Sequence, residues 1–390
     1  MDWRQILAEQ ASPEPPRLTE EKATILYEKA DFHALREVAH IHRKRMVPGG
    51  QVTYMIDRNV NYTNVCTINC QFCSFYRPPD HDETYTQSFE QISARVRELE
   101  EIGGVRILMQ GGVNPDLPFN WYLELISYLR ENHPNIDLDC FSPIEIEGIA
   151  EVSGMSTLEV LTAMKQAGMH GLPGGGAEML VDDVRLGVSP KKGSADNWLR
   201  VMGEAQSLGL TTSATNVFGF GETSEHRVRH MGRIRELQDD AEKQNHRGFT
   251  SFIAWPVQLE TNVFGKRNSG NNRVELRTGP IEYLRHVAIS RIFFDNIDHI
   301  QASWPTMGLE VAEIALTGGA DDVGSTMMEE NVVSASGTTK VLCTEIELQE
   351  TIVRAGFQAK RRDSDYQLLE TPEPKIDVSQ FPSPPPIQSF

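Results

Sequence analysis

Thr53-Tyr-Met-Ile-Asp-Arg-Asn59, followed by Asn64-Val-Cys66-Thr-Ile-Asn-Cys70-Gln-Phe-Cys73, sets the pattern from which the fold is read. The first run, bounded by polar residues, reads as a strand. The second is a polar loop carrying three cysteines just past the strand's carboxyl end. The same order of strand, polar loop and helix recurs along the chain. Further strands are predicted at Val105–Met109, Ile136–Phe141, Met169–Leu172, Thr211–Phe218, Phe249–Trp255, His299–Trp304 and Asp321–Ser325. Helical periodicity separates most of them, at Phe89–Glu101, Trp121–Asn132, Thr157–Ala167, Asn197–Leu208, Glu225–Asn245, Ile281–Phe294 and Leu309–Leu316. Gly168 and Gly209 fall where helix C-caps belong. Eight strands with intervening helices predict a parallel α/β architecture, a (β/α)8 TIM-type barrel. A doubly wound open sheet with fewer strands is the competing arrangement.

The flanks are different in character. Residues 11 to 16 form a breaker-rich leader, and Thr19-Glu-Glu21 reads as an N-cap with acids in the first helical turn. One or two helices are expected from there to Met46, and a short helix near 345 to 355. The resulting division is an N-terminal helical segment at 1–47 and a barrel at 48–345. A C-terminal helix and strand follow at 346–370, then a proline-rich, disordered tail at 371–390.

Composition narrows the function. The chain has 390 residues, 39% hydrophobic, and a formal net charge of −18. That charge argues against a general nucleic-acid binder. The opening residues lack the basic start and apolar run of a signal peptide. No stretch is apolar for the ~18–20 residues of a membrane span. Five cysteines, three of them on one loop, do not form a disulfide framework. A reducing cytoplasm is the expected compartment.

The loop spacing is C-x3-C-x2-C, with Phe72 before the third cysteine. Four cysteines complete a [4Fe–4S] cluster, so three leave one iron open to a small chelating molecule. A structural zinc site wants four protein ligands; His81 is eight residues away, and Cys140 and Cys343 are isolated. Redox chemistry by Cys70 and Cys73 alone leaves Cys66 idle. The barrel reading also predicts that chemistry sits after the strands' carboxyl ends. Gln110-Gly111-Gly112-Val-Asn114-Pro115, Ser142-Pro143-Ile-Glu145 and Pro173-Gly174-Gly175-Gly176-Ala-Glu178 all fall there. Trp255 and Trp304 end two further strands.

These motifs resemble the radical S-adenosylmethionine superfamily. The resemblance implies that Cys66, Cys70 and Cys73 hold [4Fe–4S]. It implies that S-adenosyl-L-methionine chelates the open iron and is cleaved reductively to a 5′-deoxyadenosyl radical. Phe72, Phe75, Gly111, Gly112, Ser142 and Glu178 are the cofactor-binding residues it implies. Arg185 is a further candidate, for the cofactor's carboxylate. Over residues 20 to 370 the chain resembles one subgroup, which holds the radical enzymes of the futalosine route to menaquinone and the deazaflavin synthases. Gln301-Ala-Ser-Trp304 and Gly324-Ser-Thr-Met-Met-Glu-Glu330-Asn-Val-Val-Ser334 are most similar to the members that cyclise dehypoxanthine futalosine. The implied reaction removes the ribose C4′ hydrogen, closes a ring onto the benzoate, and loses an electron and a proton. A base is then needed, and Glu145, Glu222, Glu329 and Glu330 are its candidates. The implied partners are the small-molecule substrate and a reducing electron donor such as flavodoxin or ferredoxin. Within the subgroup, aminofutalosine synthase and deazaflavin synthase activities are the alternatives; a non-catalytic iron–sulfur electron carrier is the alternative of another class. His226 departs from the subgroup pattern and is assigned no role. The polar insert between Pro256 and Glu282 reads as a loop near the barrel mouth.

Overall fold

A computed structural model describes residues 2–268, 273–328, 335 and 342–372. Glu329, Glu330, Asn331 to Ser334 and the tail beyond Pro372 lie outside the described residues, so two of the candidate bases carry no structural account. All ten strands pair in parallel. They are β1 Gln51–Met55, β2 Asp57–Val60, β3 Arg106–Met109, β4 Asp137–Cys140, β5 Gly171–Leu172, β6 Thr211–Phe218, β7 Phe249–Pro256, β8 His299–Gln301, β9 Asp322–Ser325 and β10 Gln358–Arg361. The sheet order is β10-β1-β9-β8-β7-β6-β5-β4-β3-β2.

The two ends of that order meet. β1 and β2 are one run of chain interrupted only at Ile56. β1 pairs with β9, and β2 with β3. Beyond the break, the Asn59 N–H donates to the Met328 carbonyl at 2.9 Å. The sheet therefore curls until its last barrel strand reaches its first, which excludes the open doubly wound sheet. β10 adds outside this circuit, on β1.

Helices start where their caps dictate. Ser88 with Gln91, Ser156 with Glu159, Thr223 with His226, and Thr344 with Glu347 form reciprocal capping boxes, each cap worth about 1 kcal/mol. His226 is thus a capping residue. Gly168 closes the helix Thr157–Ala167 in a left-handed conformation, φ 115°. Four differences from the sequence reading have local causes. A helix at Trp3–Ala11, capped by Asp2, precedes the breaker-rich leader. Ser142 caps a helix Pro143–Ser153, so the strand-end motif there is a helix start with proline at N1. Asp182–Val188 is a further short helix. Trp304 opens a short helix Trp304–Met307 with Pro305 behind it, and does not end a strand.

Side chains alternate across the strands. Outward residues such as Ile107, Met109, Leu138 and Cys140 join the apolar layer under the helices, with Leu125, Ile126, Val160 and Leu161. Many inward residues are polar: Asn59, Arg106, Gln110, Asp139, Ser251 and Gln301 line a cavity, together with the apolar Leu108, Val217 and Ile253. A filled barrel carries bulky aliphatic residues there. At the amino end of the strands, Arg106 bonds to Asp57 (2.5 Å) and Asp139 (3.4 Å). Arg362, just past β10, forks onto Asp322 (2.6 and 3.1 Å). Tyr366 stacks on His299 with 3.8 Å between centroids. The segment after β10 thus plugs the barrel floor and leaves the carboxyl end for the site.

Candidate active site at the barrel mouth

The cysteine loop is fixed at both ends by backbone pairing. The Cys66 N–H donates to the Arg77 carbonyl (2.9 Å), and the Arg77 N–H to the Asn64 carbonyl (2.7 Å). The Arg77 guanidinium caps the carbonyls of Ser74, Phe75 and Tyr76. Tyr76 donates to the Asn69 side chain. Later segments clamp the crest. The Gln71 N–H donates to the Val188 carbonyl (3.0 Å), and the Gln71 carbonyl accepts from the Phe264 N–H (2.8 Å). The helix Val263–Arg267, inside the polar insert, therefore packs on the cysteine loop.

Burial pushes the Cys66 thiol up, and pushes the Cys73 thiol up to about 11; charge on Cys70 adds to both. The three sulfurs are thus near enough to repel one another as thiolates. Among the described residues, no three His, Cys, Asp or Glu side chains converge on a single ion. A zinc ion needs all its donors about 2.0–2.3 Å from one point, whereas an iron–sulfur cube takes each thiolate on a different iron. Cys140 and Cys343 are buried in the apolar core. Three thiols on one loop, with the other two cysteines buried in the core, fit a cluster held by three thiolates.

The glycine turn after β3 serves the loop before any ligand. A Cβ on Gly112 would stand 2.1 Å from the Val65 carbonyl and 2.6 Å from the Cys66 Cβ. The Gly111 N–H is already used: it donates to Glu145 Oε1 at 2.9 Å. Tyr62 donates to the same oxygen (2.8 Å), and Ser142 Oγ to Glu145 Oε2 (2.7 Å). Burial pushes the Glu145 carboxyl up to about 7 against these donors. Glu145 and Ser142 do not line the cavity; they set the glycine turn from behind, so Glu145 is not placed as a base on the cavity wall.

After β5 the chain reads Pro173-Gly174-Gly175-Gly176-Ala177-Glu178, and every residue but Ala177 lines the cavity. A Cβ on Gly174 would meet the Ser213 carbonyl at 2.2 Å. Glu178 adopts a left-handed backbone, φ 42°, a costly conformation for a residue with a side chain. Its carbonyl is held by Asn216 Nδ2 (2.6 Å) and the Val217 N–H (2.9 Å). Its carboxylate takes Lys192 Nζ at 2.6 Å and Arg185 Nη1 at 3.4 Å. Arg185 caps the carbonyls of Gly176, Ala177 and Gly193, so it holds the loop rather than reaching for a free carboxylate. Lys192 Nζ lies 5.4 Å from the Phe72 ring centroid. Sequence reading missed Lys192, whose only signal is a Lys-Lys pair after Pro190.

The cavity has a volume of about 320 Å³ and runs from Phe72 and Cys73 at the mouth to Arg362 and Tyr366 at the floor. Trp255 lines it; Trp304 is core, its indole N–H donating to the Ser325 carbonyl at 2.9 Å. Two predicted site residues are elsewhere. Phe75 lines a separate surface cleft with Tyr85 and Arg95. Glu222 is buried against Arg227 (2.6 Å) and accepts the Gly219 and Phe220 N–H groups, so its oxygens are spent away from the cavity. Among the described residues, no helix is long and apolar enough to cross a membrane.

Comparison with known proteins agrees with this geometry. Residues 60–234 match the model of the radical SAM superfamily, and residues 246–375 that of the CofH/MqnC C-terminal region. The chain is similar to the cyclic dehypoxanthine futalosine synthase of Halalkalibacterium halodurans, 43% identical over 92% of this chain and 93% of that one. It is similar to the enzyme of the same name from Streptomyces coelicolor, 37% identical over 90% of this chain and 86% of that one. In fold it resembles a crystal structure of methylornithine synthase, with a TM-score of 0.68 at 16% identity over 91% of this chain and 97% of that one.

Proposed function

This chain belongs to the radical S-adenosylmethionine superfamily, and from that premise we infer that it converts dehypoxanthine futalosine to cyclic dehypoxanthine futalosine in menaquinone biosynthesis. The observation that carries the reading is 43% identity to an enzyme of that name over nearly the whole of both chains. When bound, a [4Fe–4S] cluster and S-adenosylmethionine supply a 5′-deoxyadenosyl radical that takes the ribose C4′ hydrogen.

The chain's own residues do the rest. Cys66, Cys70 and Cys73 are the proposed cluster ligands, and Phe72 and Glu178, which line the cavity with Cys73, would face the cofactor. Gly111 and Gly112 bring the turn after β3 against the cysteine loop, and Glu145 positions that turn. The polar wall made by Gln110, Ser251 and Gln301 supplies hydrogen-bond partners for a substrate rich in hydroxyl and carbonyl oxygens. Trp255 gives a flat face for an aromatic ring. Arg106, Arg362 and Tyr366 line the far end of the cavity, where their side chains help keep water from the radical. A low-potential donor such as flavodoxin or ferredoxin delivers the electron, and a reducing cytoplasm is the compartment that suits such a cluster.

The test is an anaerobic assay with dehypoxanthine futalosine, S-adenosylmethionine and a reductant, scored for 5′-deoxyadenosine and for the cyclic product. Parallel reactions use the substrates of aminofutalosine synthase and of the deazaflavin synthases. Cyclic product from the first reaction alone is expected. Turnover of another substrate in its place refutes the assignment.

A further inference from the structure

Within a chain of net charge −18, a pair of lysines is built onto the cysteine loop. The turn Pro190-Lys191-Lys192-Gly193 follows the short helix Asp182–Val188 and lies along the loop's crest. Gly187 and Val188 accept from the side chain and backbone N–H of Gln71 (2.9 and 3.0 Å). Lys191 Nζ donates to the Thr67 carbonyl at 3.4 Å. Lys192 is different: it is 7% exposed and reaches inward. Its Nζ is 2.6 Å from Glu178 Oε1 and 5.4 Å from the ring of Phe72, which stands between Cys70 and Cys73.

A buried ammonium is costly unless something holds its charge. Burial pulls the Lys192 ammonium down, but charge on Cys70 and then on Glu178 outweighs it, and the net shift is upward. Glu178 alone satisfies one of three N–H donors. Buried Arg185 also feels the charge of Cys70, but its guanidinium is spent on the carbonyls of Gly176, Ala177 and Gly193, which leaves Lys192, beside the Phe72 ring, as the cation turned toward the cysteine loop.

We propose that Lys192 sets the reduction potential of the cluster held by Cys66, Cys70 and Cys73, with Glu178 as its counter-charge. The proposal rests on the cluster reading given above. One electron from an external low-potential donor enters the cluster; no bond forms or breaks, and the reduced cluster carries one more negative charge than the oxidised one. A fixed positive charge therefore favours the reduced form, and a fixed negative charge opposes it. A unit charge acting over roughly 10 Å in a protein site is worth roughly a tenfold change in such an equilibrium, which for one electron is about 59 mV. Lys192 is a positioning residue here, acting on the cluster through its field.

The experiment uses the full chain, reconstituted anaerobically without S-adenosylmethionine. Iron and sulfide are counted, and the midpoint potential is read by dye-mediated titration followed by electron paramagnetic resonance. K192M is expected to lower the midpoint by about 59 mV, K192R to keep it, and E178Q to raise it. A K192M protein with wild-type iron content and a wild-type midpoint overturns the proposal, including where only its response to added S-adenosylmethionine changes. If K192M assembles no cluster, E178Q decides: an unchanged midpoint there also overturns it. A wild-type chain that assembles no four-iron cluster overturns the cluster reading itself, and this proposal with it.

Discussion

Replacing Glu145 by glutamine removes one titratable group from the layer behind the glycine turn and keeps its shape. Glu145 ordinarily titrates near 4.5, and burial in this site pushes it up to about 7. Holding the ionised form in place therefore costs about 3 kcal/mol, at 1.36 kcal/mol per tenfold. The folded-state value lies above the unfolded one, so the folded chain binds the extra proton. Its stability contribution is full below pH 4.5 and is lost as pH rises through 7. About 2.5 kcal/mol of that loss falls between pH 5 and pH 8. For 390 residues, at about 2.1 cal/mol/K of unfolding entropy per residue, this equals about 3 °C in Tm. The assay is thermal unfolding of wild type and E145Q across that pH range, in the same cluster state. Wild type minus E145Q should fall by about 3 °C from pH 5 to pH 8. The amide keeps a carbonyl for the Tyr62 hydroxyl and the Gly111 N–H, and Ser142 Oγ can turn to accept from its NH2. A pH-independent difference between the two proteins refutes the reasoning, because it means that Glu145 stays ionised throughout.

Four further outcomes follow. Cys66→Ala, Cys70→Ala and Cys73→Ala should each abolish iron incorporation while circular dichroism and Tm show an intact barrel; loss of the fold in all three recasts the metal as structural. Gly112→Ala forces a methyl to within 2.1 Å of the Val65 carbonyl; it should displace the cysteine loop and cut iron content, with the far-ultraviolet spectrum unchanged. Arg227→Met leaves Glu222 charged and buried without its 2.6 Å partner. It should cost about 3–5 kcal/mol, read as a Tm fall of about 4–6 °C. Glu222→Gln should keep kcat per folded molecule, and a loss of turnover in folded Glu222→Gln returns that residue to the chemistry.

Much of the architecture was written in local pattern. Strand and helix periods, N-cap residues and Gly168 are properties of neighbouring residues, so all eight barrel strands could be read from the chain alone. The cysteine loop was legible for the same reason: its ligands lie within eight positions of one another, and spacing on one loop constrains geometry directly. The charged strand residues Asp57, Arg106 and Asp139 were not singled out in the sequence, because their pairing with one another forms only once neighbouring strands are in register.

What sequence could not reach depends on side chains brought together from distant positions. Glu145 and Glu222 look alike as carboxylates near strand ends. One turns to Tyr62, 83 positions away, and the other to Arg227, and neither faces the cavity. Phe72 and Phe75 are three residues apart on one loop, yet the loop's path sends one to the barrel mouth and the other to a separate cleft. Arg362 and Tyr366 enter the floor only because β10 adds onto β1 and carries them there. Lys192 meets Phe72 and Glu178 across a turn that no motif marks. Sequence alone determined the barrel and its three thiols, because short-range periodicity and spacing encode both. Tertiary structure decided which polar groups face the cavity and which are consumed in holding it, because burial and partner choice arise only when the sheet has closed.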